Sequence, residues 1–349
     1  MGTRKLDRYQ RQMIFYGLGE AGQRKLLAST VAIVGCGATG SVLANHLARA
    51  GVGHLRLIDR DYVELTNLHR QMLYDEEDRA AGLPKAVAAE RHLRKVNSDI
   101  VIESVVADFN PGNALSLLEG VDLALDGSDN FEARYLLNDA CIRLGIPWVY
   151  TGVVSSYGMT ATFVPEKAAA KIGREMTGCL QCALGPEPAT GGPTCDTAGV
   201  LGPAVGVLAS LSAGEAIKLL SGNGEINRGL ITVDIWDNSF DMFELAGRRS
   251  DCPACVKGEL RFLEAQVASR SAVLCGRNAV QISAPHARVD LKKIAERLTK
   301  LGEVRQNPYL MRAKVDGYEI TLFPDGRAII KGTEDPDLAR SLYARYIGI

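Results

Sequence analysis

The chain has almost no net charge. Its 349 residues carry 40 Lys and Arg against 41 Asp and Glu, a formal charge of −1. That balance excludes a chain-wide basic field for gripping nucleic acid. The first residues, MGTRKLDRYQRQM, contain no apolar run, so no secretory signal is expected. Leu6 stands where N-myristoylation needs Ser or Thr. Two stretches, residues 26–48 and 197–214, lack Lys, Arg, Asp and Glu, but Gly, Ser, Thr or Pro interrupts both. Neither reads as a membrane span. Low-complexity tracts and internal repeats are missing, and 46% hydrophobic residues suffice for a large core, which excludes disorder. A cytoplasmic protein is expected, with no nucleic-acid or membrane partner.

Two residue types stand out against that background. Glycine is over-represented, 36 residues, or about a tenth of the chain against the usual ~7%. The eight cysteines include two CxxC pairs. In a long chain without a signal, these favour reduced thiols and a metal over disulfides.

Strand and helix patterns alternate over the first half. Apolar runs at 31–34, 54–58, 99–106, 121–125 and 147–150 read as strands. Helical patterns lie between them, including 39–50 and one charged segment, 76–97. This predicts an α/β, Rossmann-like fold, a mostly parallel sheet with helices on both faces. Further on, 160–164 and 230–236 read as strands and 204–220 as a helix. The Gly-, Pro- and Thr-rich stretch 184–199 reads as a functional or mobile loop. The expected boundary places one domain at 1–258 and a small C-terminal α+β domain at 259–349. There Leu291, Ile294, Ala295, Leu298 and Leu301 have helical spacing. Three strands are joined at Asp316-Gly317 and Asp325-Gly326, both hairpin signals. Asp335-Pro336 opens a last helix.

Gly35-Cys36-Gly37-Ala38-Thr39-Gly40 matches GxGxxG between a strand and a helix. Gly35, Gly37 and Gly40 permit a tight turn and close approach of a phosphate to the helix N-terminus. Asp59 ends the second strand, where an acid can bind ribose hydroxyls. The motif alone does not separate NAD from ATP. Asn67, Arg70, Gln71 and Lys85 follow, and Arg8 and Arg11 precede the fold. Several cations suit a triphosphate being cleaved better than a dinucleotide. Asp129 follows the fourth strand at the carboxyl end of the sheet. It can hold Mg²⁺ against phosphate oxygens, with Asp126 in support. A helix cap is the alternative for this Asp-Asn pair.

The set RYxRQ, GxGxxG, D-x-D-x-V-x-x-x-N-L-x-R-Q, Pro-Lys, D-x-x-D-N and two CxxC pairs resembles the ThiF/MoeB/HesA family, the bacterial branch of the ubiquitin-activating-enzyme superfamily. The resemblance spans residues 7–257. It departs at Ala38, where relatives often carry another Gly. It implies an ATP-dependent adenylyltransferase acting on a small ubiquitin-fold sulfur carrier, of the ThiS or MoaD kind, with a Gly-Gly C-terminus. The terminal Gly carboxylate is adenylated and pyrophosphate released. By the same resemblance Asp59 holds the ribose, Asn67, Arg70 and Lys85 the phosphates, and Asp129 Mg²⁺, with Gln71 in support. It implies a homodimer in which Arg11 reaches the partner's triphosphate, and a sulfur-donor protein as a further partner.

Cys179-Leu180-Gln181-Cys182 and Cys252-Pro253-Ala254-Cys255 form two knuckles. Four thiolates suit structural, tetrahedral Zn²⁺ with no open position, a staple within the first domain. Cys195 lies in the 184–199 loop, where the resemblance allows a sulfur-transfer nucleophile. An idle thiol is the alternative. Leu274-Cys275-Gly276-Arg277 is rejected as a rhodanese loop because the surrounding unit is too short. Adenylation by carboxylate attack needs no general base, which agrees with the absence of an evident Ser-His-Asp set. An NAD-linked oxidoreductase and a non-catalytic scaffold for a ubiquitin-like protein remain as rivals.

Overall fold

The computed structural model describes residues 6–188, 195–245, 247–265, 271–274, 278–283 and 289–348, with the backbone alone at 195, 196 and 271–274. It divides into two compact units, Met1–Ala265 and Gln266–Ile349.

In the first unit the strands are β1 (Thr30–Val34), β2 (His54–Asp59), β3 (Val101–Val106), β4 (Leu123–Asp126), β5 (Trp148–Val154), β6 (Tyr157–Phe163), β7 (Gly229–Asp234) and β8 (Ser239–Glu244). They form one sheet in the order β3-β2-β1-β4-β5-β6-β7-β8. The pairs from β3 to β5 are parallel. Those from β5 to β8 are antiparallel. The chain runs outward from β1 through β2 to β3, then returns to β4 on the other side of β1. That reversal makes the β1–β4 gap the switch point where open α/β sheets bind ligands.

Both faces are covered. Ala32, Val34, Ile58 and Ala124 share a buried cluster with Tyr135, Leu136 and Ala140 of the helix Phe131–Leu144. The helices Ala38–Ala50, Lys85–Val96 and Gly202–Ser221 form the other layer, with Ala38–Ala50 packed against each of the other two. Gly202–Ser221 is long and apolar enough to cross a membrane, but 56% of its apolar window is buried in the fold. Ala38–Ala50 ends at Gly51, whose φ is +82°. A side chain there would sit 2.4 Å from the Tyr9 ring.

Four details differ from expectation. The 76–97 segment is two helices, Glu76–Ala80 and Lys85–Val96. Gly82, at φ +61°, and Pro84 break it. The sheet gains β8, every residue of which is exposed. Residues 261–265 pack with the first unit, where the Phe262 N–H donates to Asp139 Oδ2 at 3.0 Å. Leu301 is exposed, because its helix stops at Leu298.

Among its described residues the second unit has six antiparallel strands rather than three. These are β9 (Ser271–Leu274), β10 (Ala279–Ile282), β11 (Glu303–Gln306), β12 (Met311–Val315), β13 (Tyr318–Leu322) and β14 (Ala328–Lys331), in the order β11-β12-β13-β14-β10-β9. Asp316 and Gly317 both have positive φ at the β12–β13 turn, as a primed hairpin turn requires. Helices Leu291–Leu298 and Pro336–Tyr346 bury Leu298, Leu342 and Tyr346 against Ile320, Leu322 and Ile330.

Candidate functional site

The chain leaves β1 and turns at Gly35, whose φ is +92°. The Gly35 N–H donates to the Ile58 carbonyl at 2.8 Å. A side chain at Gly40 would lie 1.9 Å from the Gly35 oxygen, and one at Gly127 would lie 2.2 Å from it. Three glycines therefore interlock here, and Gly127 carried no role in the sequence reading. Gly37 is different: its nearest neighbours would be 3.8 and 3.9 Å away, so the fold does not demand glycine there. Gly37 is also the N-cap of Ala38–Ala50, and no side chain caps that end. The first-turn N–H groups are thus available to an anion.

Two groups fasten the turn from behind. Asp59 Oδ2 accepts the Cys36 N–H at 2.6 Å, and Oδ1 accepts the Asp61 N–H at 2.7 Å. The Tyr74 hydroxyl donates to the Cys36 carbonyl at 2.6 Å. Burial pushes the Asp59 pKa up, opposed by Lys85. Lys85 is only 4% exposed and its Nζ lies 3.3 Å from Asp61 Oδ2. A buried ammonium persists only beside negative charge, so this end of β2 is built to hold a cation. Asn67 Oδ1 accepts the Glu64 N–H at 2.9 Å, fixing the short 3₁₀ turn Leu65–Asn67. Gln71 follows, buried, with Oε1 lacking a hydrogen-bond partner among the described residues. Its Nε2 is the group nearest the open side of Gly37. An orphaned acceptor beside an uncapped helix end fits a polar ligand at this turn. Arg70 is half-buried, and its Nη1 donates to the Thr66 carbonyl at 2.7 Å.

Across the switch point, β4 ends in fully buried Asp126. Its Oδ1 accepts the Ser128 N–H at 2.9 Å and the Ser128 hydroxyl at 2.6 Å. Its Oδ2 pairs with Arg134 Nε at 3.0 Å. Burial raises the Asp126 pKa, opposed by Arg134. The cap of Phe131–Leu144 belongs to Asn130, whose Oδ1 accepts the Ala133 N–H at 2.9 Å. Asp129 is exposed just before it, a hard oxygen donor of the kind Mg²⁺ takes. Gly35, Gly37, Gly40, Asp59, Asn67, Gln71 and Lys85 thus cluster around the ends of β1 and β2, and Asp129 follows a loop packed on the same turn.

Arg11 does not join them. Its neighbour Gln12 donates to the Ala50 carbonyl at 2.9 Å. That is the far end of the helix from the glycine turn, roughly 18 Å along its axis. Cys195 begins a short helix, Cys195–Ala198, but its side chain lies outside the described residues, as do Cys275 and loop residues 189–194.

The cysteine pairs meet on the far side of Phe131–Leu144. Cys179 Sγ lies 3.7 Å from Cys252 Sγ and 3.9 Å from Cys182 Sγ, and Cys182 Sγ lies 3.5 Å from Cys255 Sγ. All four sulfurs lie within 4.8 Å of one another. A tetrahedron with Zn–S bonds near 2.3 Å has edges of about 3.8 Å, so the set fits zinc with no open position. Leu180 N–H donates to Asn138 Oδ1 at 2.9 Å, and Gln181 Nε2 to Asp139 Oδ1 at 3.2 Å. The knuckle is thereby anchored to that helix.

The chain is similar to known proteins over this whole unit. Residues 9–254 match the ThiF family. The chain is 42% identical over 344 residues to the sulfur carrier protein ThiS adenylyltransferase of Bacillus subtilis, covering 98% of this chain and 99% of that one. It is 38% identical over 253 residues to the sulfur carrier protein adenylyltransferase of Thermus thermophilus, covering 72% and 91%. Among solved structures, Escherichia coli MccB with ATP superposes with a TM-score of 0.59 at 27% identity, covering 71% of this chain and 74% of that one. The chain therefore belongs to the ThiF family, and its activity is that of an adenylyltransferase.

Proposed function

We propose that the chain transfers AMP from ATP to the C-terminal Gly carboxylate of a small ubiquitin-fold sulfur carrier and releases pyrophosphate, preparing the carrier for thiocarboxylate formation. One observation carries the reading: Lys85, a buried cation, is held at the end of β2, whose Asp59 fastens the glycine turn. That combination suits a triphosphate, whose negative charge a cation held there would help to neutralise. A ThiS-type carrier is preferred over a MoaD-type one. The Bacillus relative named for ThiS spans both units of this chain.

The carrier carboxylate attacks the α-phosphorus in line, and pyrophosphate leaves. The carboxylate is already a nucleophile, so the protein positions groups and neutralises charge. Asp59 would hold the ribose, with the first-turn N–H groups, Asn67, Arg70 and Lys85 on the phosphates and Gln71 alongside. Asp129 would hold Mg²⁺, which supplies further neutralisation of phosphate charge. Arg11 is assigned to the active site of a partner copy. Cys195 is assigned to sulfur transfer after adenylation: Cys195→Ser is expected to keep pyrophosphate exchange and lose thiocarboxylate.

The test is exchange of labelled pyrophosphate into ATP by the purified full chain. Exchange should require a ThiS-type carrier with an intact terminal Gly. A chain that binds nicotinamide coenzyme, ignores ATP and exchanges with no carrier overturns the proposal.

A further inference from the structure

Arg134 is buried, and its charge is committed to one small loop. Nε donates to Asp126 Oδ2 at 3.0 Å and Nη2 to the Ser128 carbonyl at 3.0 Å. Its guanidinium lies 5.1 Å from the Phe131 ring centre and 5.3 Å from that of Tyr150. The opposite edge of the Asp126 carboxylate takes both Ser128 donors. Between them, Gly127 donates its N–H to the Val34 carbonyl at 2.8 Å and packs against Gly35 and Gly40 with no room for a side chain. Ser128 is followed by Asp129 and then by the helix cap Asn130.

A buried ion pair is a weak device for stability, because an apolar pair of equal volume often serves as well. What the guanidinium adds is geometry. Its planar fork bridges two acceptors at fixed positions, and a Lys ammonium does not reproduce that. We propose that Arg134 is a positioning residue: through Asp126 and the Ser128 carbonyl it sets the loop that presents Asp129 beside the glycine turn. This rests on the reading of Asp129 as the Mg²⁺ residue. Arg134 fixes the backbone on one side of Asp129 while Asn130 fixes it on the other.

The experiment is calorimetric binding of the non-hydrolysable analogue AMPCPP to the full-length protein, with and without magnesium, beside binding of AMP alone. Arg134→Lys is expected to leave AMP binding unchanged and to weaken the magnesium-dependent part of AMPCPP binding by about tenfold or more, the usual cost of losing a group that orients a metal ligand. Asp129→Ala is expected to abolish that magnesium dependence. If Asp129→Ala leaves it intact, the assignment of Mg²⁺ to Asp129 fails. If Asp129→Ala abolishes it and Arg134→Lys does not shift it, the positioning role is overturned. Equal loss of AMP binding in Arg134→Lys also overturns it, since the residue would then merely support the turn. Should Arg134→Lys not fold, Ser128→Ala decides. It removes the hydroxyl's bonds to Asp126 Oδ1 and to the Asn130 carbonyl in the same loop, and an unshifted magnesium dependence rejects the inference.

Discussion

Lys85 is tied to Asp61 at both of its ends: its N–H donates to the Asp61 carbonyl at 2.8 Å, and its Nζ lies 3.3 Å from Asp61 Oδ2. Lys85→Met removes a cation from the proposed phosphate site. Pyrophosphate exchange should fall about a hundred- to thousand-fold. The change also strips a buried carboxylate of its ammonium, which should cost up to roughly 3 kcal/mol of stability. The double variant Lys85→Met/Asp61→Asn should recover the urea midpoint without recovering exchange. A double variant that recovers both would remove Lys85 from the reaction.

The glycines of the turn separate into two kinds. Alanine at Gly40 or Gly127 meets the Gly35 carbonyl at 1.9 or 2.2 Å. Each is expected to cost about 3 kcal/mol or more, because the obstacle is backbone with no rotamer to yield. Alanine at Gly37 meets nothing closer than 3.8 Å. Gly37→Ala should melt like the parent yet bind ATP weakly, its methyl lying where a phosphate approaches the helix end. A Gly37→Ala chain with undiminished ATP affinity would place the phosphates elsewhere.

Much of this organisation is legible in the sequence because it is local. Val31–Val34 and the glycine run after it announce a strand, a tight turn and a helix within twenty residues or so, a span that spacing rules handle well. The paired cysteines are legible for a similar reason, since two short knuckles specify one metal geometry. Three things are not legible. Ser239–Glu244 is exposed along its whole length, Phe240, Met242 and Phe243 included, so its short Ser-Phe-Asp-Met alternation has no core face behind it. Gly127 matters because of Gly35 and Gly40, residues far earlier in the chain that the β1–β4 pairing brings to it. Arg134 reads as one helical charge among many. Only the folded loop reveals that its partner is Asp126. The break at Gly82 and Pro84 is written in the sequence, but the charged runs on either side of it share one helical composition.

Zinc should hold the first unit together rather than take part in its chemistry. The knuckle at Cys179–Cys182 reaches Asn138 and Asp139, and Phe262 reaches Asp139 from beyond the second knuckle. Chelation, or Cys252→Ser, is expected to lower the melting temperature by about 10 °C. Near the native temperature, residual pyrophosphate exchange should remain in proportion to folded protein. Calorimetry and zinc content on the same samples check this. A metal-free chain with an unchanged melting point would make the four sulfurs bystanders.

Arg11 provides the sharpest check on the assembly. It sits beside the Ala50 end of the helix whose other end is the glycine turn, so within one chain it is far from that turn. If it serves a second copy, Arg11→Ala and Lys85→Met are each inactive for different reasons. Arg11→Ala damages the partner's site and Lys85→Met damages its own. In a mixed dimer one site combines both lesions, and the other is intact. Unfolding and refolding the two variants together, with random pairing in a two-fold dimer, should restore about a quarter of the parental activity. Refolding each alone should restore none. Recovery must track dimer exchange, so covalently linked dimers of a single variant serve as the control. A mixture that stays inactive after verified exchange would place Arg11 in its own chain's site, or outside the reaction altogether.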